Sequence, residues 1–178
     1  IINSNKNFKY KKKTLLDIGA GFGIFAYKMK QMGWSTDVIE IDPNLKKFLR
    51  EELKLNVIKE NFLKHSFKKS YSLITFNKVL EHFDLNECKK TLNKAKKVIS
   101  NNGCIYLEVP DGLNAHKNSL NRQEFFFEHK NIFSKKSLRF LLEELDFNLL
   151  YLRNVREVTG KYTIRAIINY DKKSISKI

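Results

Sequence analysis

Thr14-Leu-Leu-Asp-Ile18 runs directly into Gly19-Ala-Gly-Phe-Gly23, and this stretch decides the fold. The apolar run has the length of a buried strand, and the glycines let the backbone turn tightly and let a ligand approach it. Ile24 to Met32 then reads as a helix, with Ile24, Phe25, Met29 and Met32 on one face and Gly33 as its stop. A helix opened by such a loop points its first amides, and their partial positive charge, at whatever sits there. The glycine pattern is G-x-G-x-G. A dinucleotide fingerprint would need glycine where Ile24 stands, and a phosphate-binding P-loop would need a following Gly-Lys-Ser/Thr. A nicotinamide-dependent oxidoreductase is therefore a distant reading.

Strands and helices alternate outward from this stretch. Asp37-Val-Ile-Glu-Ile41 reads as a second strand closed by Asp42-Pro43. Asn44 is the expected cap of a helix carrying Leu45, Phe48, Leu49 and Leu53. Short strands follow at Asn56–Lys59 and Tyr71–Phe76, then a helix from Leu85 to Ser100 ending at Asn102-Gly103, then a strand from Cys104 to Val109. Residues 110–133 have weak periodicity and a Phe125-Phe126-Phe127 cluster, as in a substrate-side loop insertion. Ser134 caps a helix burying Leu138, Leu141, Leu142 and Leu145, and strands at Phe147–Leu152 and Tyr162–Tyr170 finish the domain. The order predicts an α/β fold: a doubly wound, mostly parallel seven-stranded sheet with helices on both faces and the last strand antiparallel. One domain over 14–170 is expected, with a basic lead-in at 1–13 and a polar tail at 171–178. Ligands of such sheets bind beyond the carboxyl ends of the strands, at the switch point beside strand 1.

Composition narrows the function classes. At 178 residues with 42% hydrophobic and 30% charged residues, the chain can bury a core without staples. No apolar run reaches the roughly 18 residues of a membrane span. Cys88 and Cys104 have no CxxC partner, so neither a disulfide framework nor a metal knuckle is expected, and the setting is read as reducing and cytoplasmic. The chain begins at Ile1 rather than Met, so a preceding segment is expected. The net charge of +15 suits an anionic partner. Yet Arg supplies only six of the 34 basic residues, and the abundance of Lys, Asn and Ile has the look of AT-rich coding. Nucleic-acid surfaces usually favour Arg.

Glu40 strengthens the glycine loop. It lies 21 residues after Gly19, at the end of the second strand, where a carboxylate is placed to accept ribose hydroxyls. Asp42 is close enough to share that role.

With the loop and Glu40 in place, the sequence resembles the class I, Rossmann-like S-adenosylmethionine-dependent methyltransferases. The resemblance rests on Leu15–Gly23, Val38-Ile-Glu-Ile-Asp-Pro43, Tyr71–His82 with its Leu80-Glu-His82 ending, and Asn101–Pro110. It continues through Glu128-His-Lys-Asn-Ile-Phe-Ser134 and Leu141–Phe147, which are similar to segments of small-molecule, sugar and ubiquinone-biosynthesis methyltransferases. The resemblance implies S-adenosylmethionine as cofactor and S-adenosylhomocysteine as product. It implies that Asp17 holds the loop and the methionine ammonium, and that Gly19, Ala20, Gly21 and Gly23 pass close to the cofactor. Glu40, with Asp42 beside it, would take the ribose, Ile41 would pack on the adenine, and Asn61 and Phe62 would lie at its edge. Asn77 would sit near the sulfonium. Two positions depart from the family: Ser72 replaces a usual Asp, and Asp146 replaces a usual glycine before Phe147. The Asn-Pro-Pro-Tyr signature of enzymes methylating adenine or glutamine amino groups is absent; Asn77-Lys-Val-Leu80 stands there.

The expected function is methyl transfer to a small-molecule acceptor, with an anionic compound and a sugar or polysaccharide precursor among the candidates. An RNA methyltransferase and an inactive binding module of the same fold are the alternatives. An oxygen acceptor usually needs a base, so His129 and His82 are the catalytic candidates, with helix-entry hydrogen bonding and pocket support as their structural alternatives. Glu128 is a candidate base or partner of His129. His116 lies beside the same loop, His65 reads as a surface residue, and no metal site is expected.

Overall fold

The computed structural model describes residues 12–115 and 128–171. The lead-in before Lys12, His116, Phe125 to Phe127 and the tail after Asp171 lie outside the described residues. The chain order is β1 (Thr14–Ile18), α1 (Ile24–Gln31), β2 (Ser35–Ile39), α2 (Pro43–Glu51), β3 (Asn56–Ile58) and β4 (Tyr71–Asn77). A 3-10 turn (Leu80–His82), α3 (Leu85–Val98), β5 (Ile99–Pro110), α4 (Gly112–Ala115), α5 (Lys135–Glu144), β6 (Asn148–Arg156) and β7 (Tyr162–Asn169) follow. They form a 7-stranded sheet in the order β3-β2-β1-β4-β5-β7-β6. The pairs from β3 across to β5 are parallel, and β7 runs antiparallel to both β5 and β6. The chain turns outward from β1 in both directions, so β1 and β4 flank the switch point.

Side-chain alternation along β1 explains the two helical layers. Leu15 faces a cluster with Met29, Trp34 and Leu73, while Leu16 and Ile18 face Leu92, Leu138 and Leu142. Ala26 of α1 and Leu49 of α2 meet Val38 on the first side. Each fully buried leucine contributes about 1.5–3 kcal/mol, so the Leu138, Leu141 and Leu142 face is what docks α5.

Several boundaries differ from the sequence reading. Asp42, not Asn44, caps α2: its carboxylate accepts from the amides of Asn44 (2.8 Å) and Leu45 (2.9 Å), and Pro43 takes the first helical position. β2 ends at Ile39, so Glu40 and Ile41 stand just beyond it. In α1, Ala26 and Met29 are buried, whereas Ile24 and Met32 of the expected face are exposed. The helix before β5 stops at Val98, because Ile99 pairs with Tyr71 before a register shift brings Cys104 opposite Leu73. Gly103 therefore lies within β5 and does not end a helix. β6 extends to Arg156 through its ladder with β7. α3 and α5 each begin with a capping box, Asp84 with Glu87 and Ser134 with Ser137.

Candidate functional site

The site forms where the parallel strands β1, β2 and β4 end side by side. The Gly19 and Ala20 amides donate to the Ile39 carbonyl at 2.8 and 3.1 Å, which ties the glycine turn to the end of β2. Gly19 adopts φ +69°, and a Cβ there would lie 2.5 Å from a Val79 methyl. Gly21 has φ +54° with nothing within 4 Å of the corresponding position, so the turn stays open at that point.

Glu40 is buried and fixed by this loop. Its Oε2 accepts from the Gly21 amide (2.7 Å), and its Oε1 accepts from the Ile41 (2.6 Å) and Asp42 (3.0 Å) amides. A carboxylate offers about four acceptor positions, so capacity remains on Oε2. Asp17 lies beneath the loop, where the Thr75 hydroxyl donates to its Oδ1 at 2.5 Å. Burial pushes the Asp17 carboxyl up to about 7, opposed by the Thr75 bond and reinforced by the charge of Glu40.

A cavity of about 590 Å³ opens beside these residues, within the roughly 300–1,000 Å³ usual for small-molecule sites. Gly19, Glu40, Ile41, Asn61, Lys78, His82 and Glu128 are among its lining residues. Ile41 is 75% exposed, an apolar side chain that lines the cavity. The Asn61 amide oxygen accepts from the Leu63 amide at 2.8 Å, and Phe62 packs edge-on against Phe76 of the core. Lys78 holds a left-handed backbone (φ 57°), with its ammonium 2.9 Å from Glu157.

Two segments distant in the chain meet where His82, Phe83 and Glu128 line the cavity. The Asn131 amide donates to the Glu81 carbonyl at 3.1 Å, and the Asn131 side chain donates to the Phe83 carbonyl at 2.5 Å. This sets the His82 and His129 rings 5.0 Å apart, edge to face. Glu81 is buried beside them, and burial raises its carboxyl to about 7.

Of the residues singled out from sequence, Gly19, Glu40, Ile41, Asn61, Phe62, His82 and Glu128 line the cavity. Asp17, Ala20, Gly21 and Gly23 build or support the turn without lining it. Asp42 serves the α2 cap, and Asn77 lies exposed at the end of β4. His129 adjoins His82, and His65 pairs with Glu60 at 2.7 Å away from that pair. Lys78, Val79, Phe83, Glu87 and Thr91 also line the cavity without having been assigned a role from sequence. Thr91 carried a usable signal, since it is a hydroxyl on the buried face of α3 between Cys88 and Ala95.

A family model described as a methyltransferase domain matches residues 4–152. The chain belongs to the methyltransferase domain family. No curated protein matches its sequence. Among solved structures, this methyltransferase chain is similar to a protein of Pyrococcus horikoshii OT3, with 20% identity, a TM-score of 0.74, and 90% of this chain and 83% of that one covered. It is also similar to a SAM-dependent methyltransferase of Methanosarcina mazei, with 22% identity, a TM-score of 0.73, and 93% and 95% covered. A third is the 1,6-didemethyltoxoflavin-N1-methyltransferase of Burkholderia thailandensis, solved with 1,6-didemethyltoxoflavin and S-adenosylhomocysteine. It has 13% identity and a TM-score of 0.72, with 90% and 72% covered. At these identities the likeness carries the fold.

Proposed function

We propose that the chain binds S-adenosylmethionine in the 590 Å³ cavity and transfers its methyl group to a small-molecule acceptor. The observation that carries this reading is the buried Glu40 carboxylate. Three loop amides hold it at the cavity wall, beside a glycine turn open at Gly21. The residues present fit the cofactor. Glu40 Oε2 retains acceptor capacity for a ribose hydroxyl, Ile41 offers apolar cover for an adenine, and Asn61 stands at the edge of that surface. Asp17, once ionised, supplies negative charge for the methionine ammonium from beneath the turn. The cofactor, when bound, supplies an electrophilic methyl on a sulfonium.

The chain's own task is then to orient an acceptor lone pair toward that methyl and to exclude water. His82, Lys78 and Glu128 line the same cavity as Glu40 and are the polar groups offered to the acceptor. A sugar or polysaccharide precursor is the first acceptor class to assay, and the net charge of +15 suits an anionic one. Cys88 and Cys104 are both buried thiols, which suits a reducing, cytoplasmic setting.

Calorimetric titration with S-adenosylmethionine, S-adenosylhomocysteine and NAD tests the proposal. Micromolar binding of the two sulfur compounds and none of NAD is expected. A folded chain that binds neither sulfur compound overturns it.

A further inference from the structure

The 3-10 turn after β4 and the segment before α5 bring together three side chains that methyl transfer alone does not require. A ring nitrogen from each of His82 and His129 and a carboxylate oxygen of Glu81 all lie within 4.8 Å of one another. Residues 81 and 82 come from one end of the sheet, and residue 129 comes from the far side of the 110–133 segment. The two Asn131 hydrogen bonds described above fix the spacing between them.

Two further features point to a ligand at this cluster. Glu81 is 1% exposed, and its Oε2 has no hydrogen-bond partner among the described residues. A buried carboxylate oxygen without a donor is costly, and an absent ion or water is the ordinary reason for one. His82 Nδ1 donates to the Glu128 carbonyl at 3.1 Å, which leaves Nε2 as the ring nitrogen available to a ligand. Histidines that hold metals are oriented in this way, with the second ring N–H given to a backbone carbonyl.

We propose that Glu81, His82 and His129 form a binding site for one divalent first-row transition cation at the edge of the cavity. Two imidazoles and one carboxylate suit Zn²⁺, Co²⁺, Mn²⁺ or Fe²⁺ better than Mg²⁺ or Ca²⁺, which prefer all-oxygen shells. Ligands of a tetrahedral cation with ~2.0 Å bonds lie roughly 3.3 Å apart, so modest side-chain rotations close the present spacing. Three protein ligands leave positions open, and His82 and Glu128 line the cavity at that point. There the cation would take an oxygen of the acceptor and favour its ionised form. That last role rests on the methyltransferase reading, whereas the cation site does not.

The test is cobalt titration of the chelator-treated full chain, followed by visible absorption, with His82→Ala, His129→Ala and Glu81→Gln variants. His65→Ala serves as the control for adventitious surface histidine. One equivalent bound by the wild type and by His65→Ala, with at least tenfold weaker binding in His82→Ala and His129→Ala, supports the site. No stoichiometric binding by the wild type, or equal binding by all variants, overturns it. Glu81→Gln tests the carboxylate but removes a buried charge, so the exposed His82 is the deciding position if that variant does not fold. S-adenosylmethionine titration of the same samples separates the two proposals. Cofactor binding without cobalt binding defeats only the cation site, and cobalt binding without cofactor binding defeats only the cofactor reading.

Discussion

Replacing Asp17 by Asn should stabilise the fold while weakening the cofactor site. Asp17 is 2% exposed, and burial is the main reason its carboxyl rises from the ordinary 3.8 to about 7. Between those values the folded chain binds more protons than the unfolded one. Stability linked to this group is therefore present at low pH and lost as the pH rises from about 4 to 7. This is the reverse of a salt-bridged aspartate, whose contribution appears as the pH rises. At 1.36 kcal/mol per pKa unit, the ceiling of the penalty at pH 8 is ~4 kcal/mol, and relaxation of the surroundings lowers it to the order of 2 kcal/mol. Asn retains an oxygen for the Thr75 hydroxyl and never ionises. Asp17→Asn should then melt roughly 4–8 °C above wild type at pH 8, taking ~2–4 °C per kcal/mol for a chain of this size. The advantage should fall by more than half at pH 5. Differential scanning fluorimetry across pH 5 to 8.5 reads this, with S-adenosylmethionine calorimetry on the same samples. A variant that melts below wild type at pH 8, or by a pH-independent offset, refutes the reasoning.

Two other substitutions follow from the geometry. Glu40→Gln keeps an acceptor for the Ile41 and Asp42 amides but turns an NH₂ group toward the Gly21 N–H. S-adenosylmethionine affinity should fall roughly 10- to 100-fold, the ~1.5–3 kcal/mol of a charged hydrogen bond, and a change below threefold in calorimetry removes Glu40 from the ribose role. Asp146 has φ +52° just past α5, where the Asp146 and Phe147 amides close the helix onto the Glu143 and Leu142 carbonyls. Asp146→Gly should raise stability by about 1 kcal/mol, seen as a higher urea midpoint with unchanged slope.

The elements read correctly from sequence are those with local causes. The strand-glycine-helix stretch at 14–31, the Ser134 cap and the four-leucine face of α5 depend on neighbours within a turn or two. The family's preference for glycine at position 146 also has a local cause, since the backbone there is left-handed. The misread boundaries have long-range causes. The Asp42 cap is the exception, with a local cause: Pro43, adjacent in the chain, takes the first helical position and selects Asp42 over Asn44. Ile99 to Gly103 resembles a helix end, but pairing of Ile99 with Tyr71 draws it into β5. Ile24 and Met32 follow a helical period, yet this short helix rests on the sheet through Ala26 and Met29.

The candidate site divides along the same line. The sequence alone determined the strand order class, the glycine turn and the Glu40 spacing, because each follows from adjacent residues and a fixed crossover length. Only the tertiary structure decided that Glu40 is held by the amides of Gly21, Ile41 and Asp42, while Asp42 itself serves α2. It also decided that Glu81 and His82 would meet His129. Residues so far apart in the chain have no common period to betray them, and their encounter depends on contacts between distant segments, such as the hydrogen bond from the Asn131 amide to the Glu81 carbonyl.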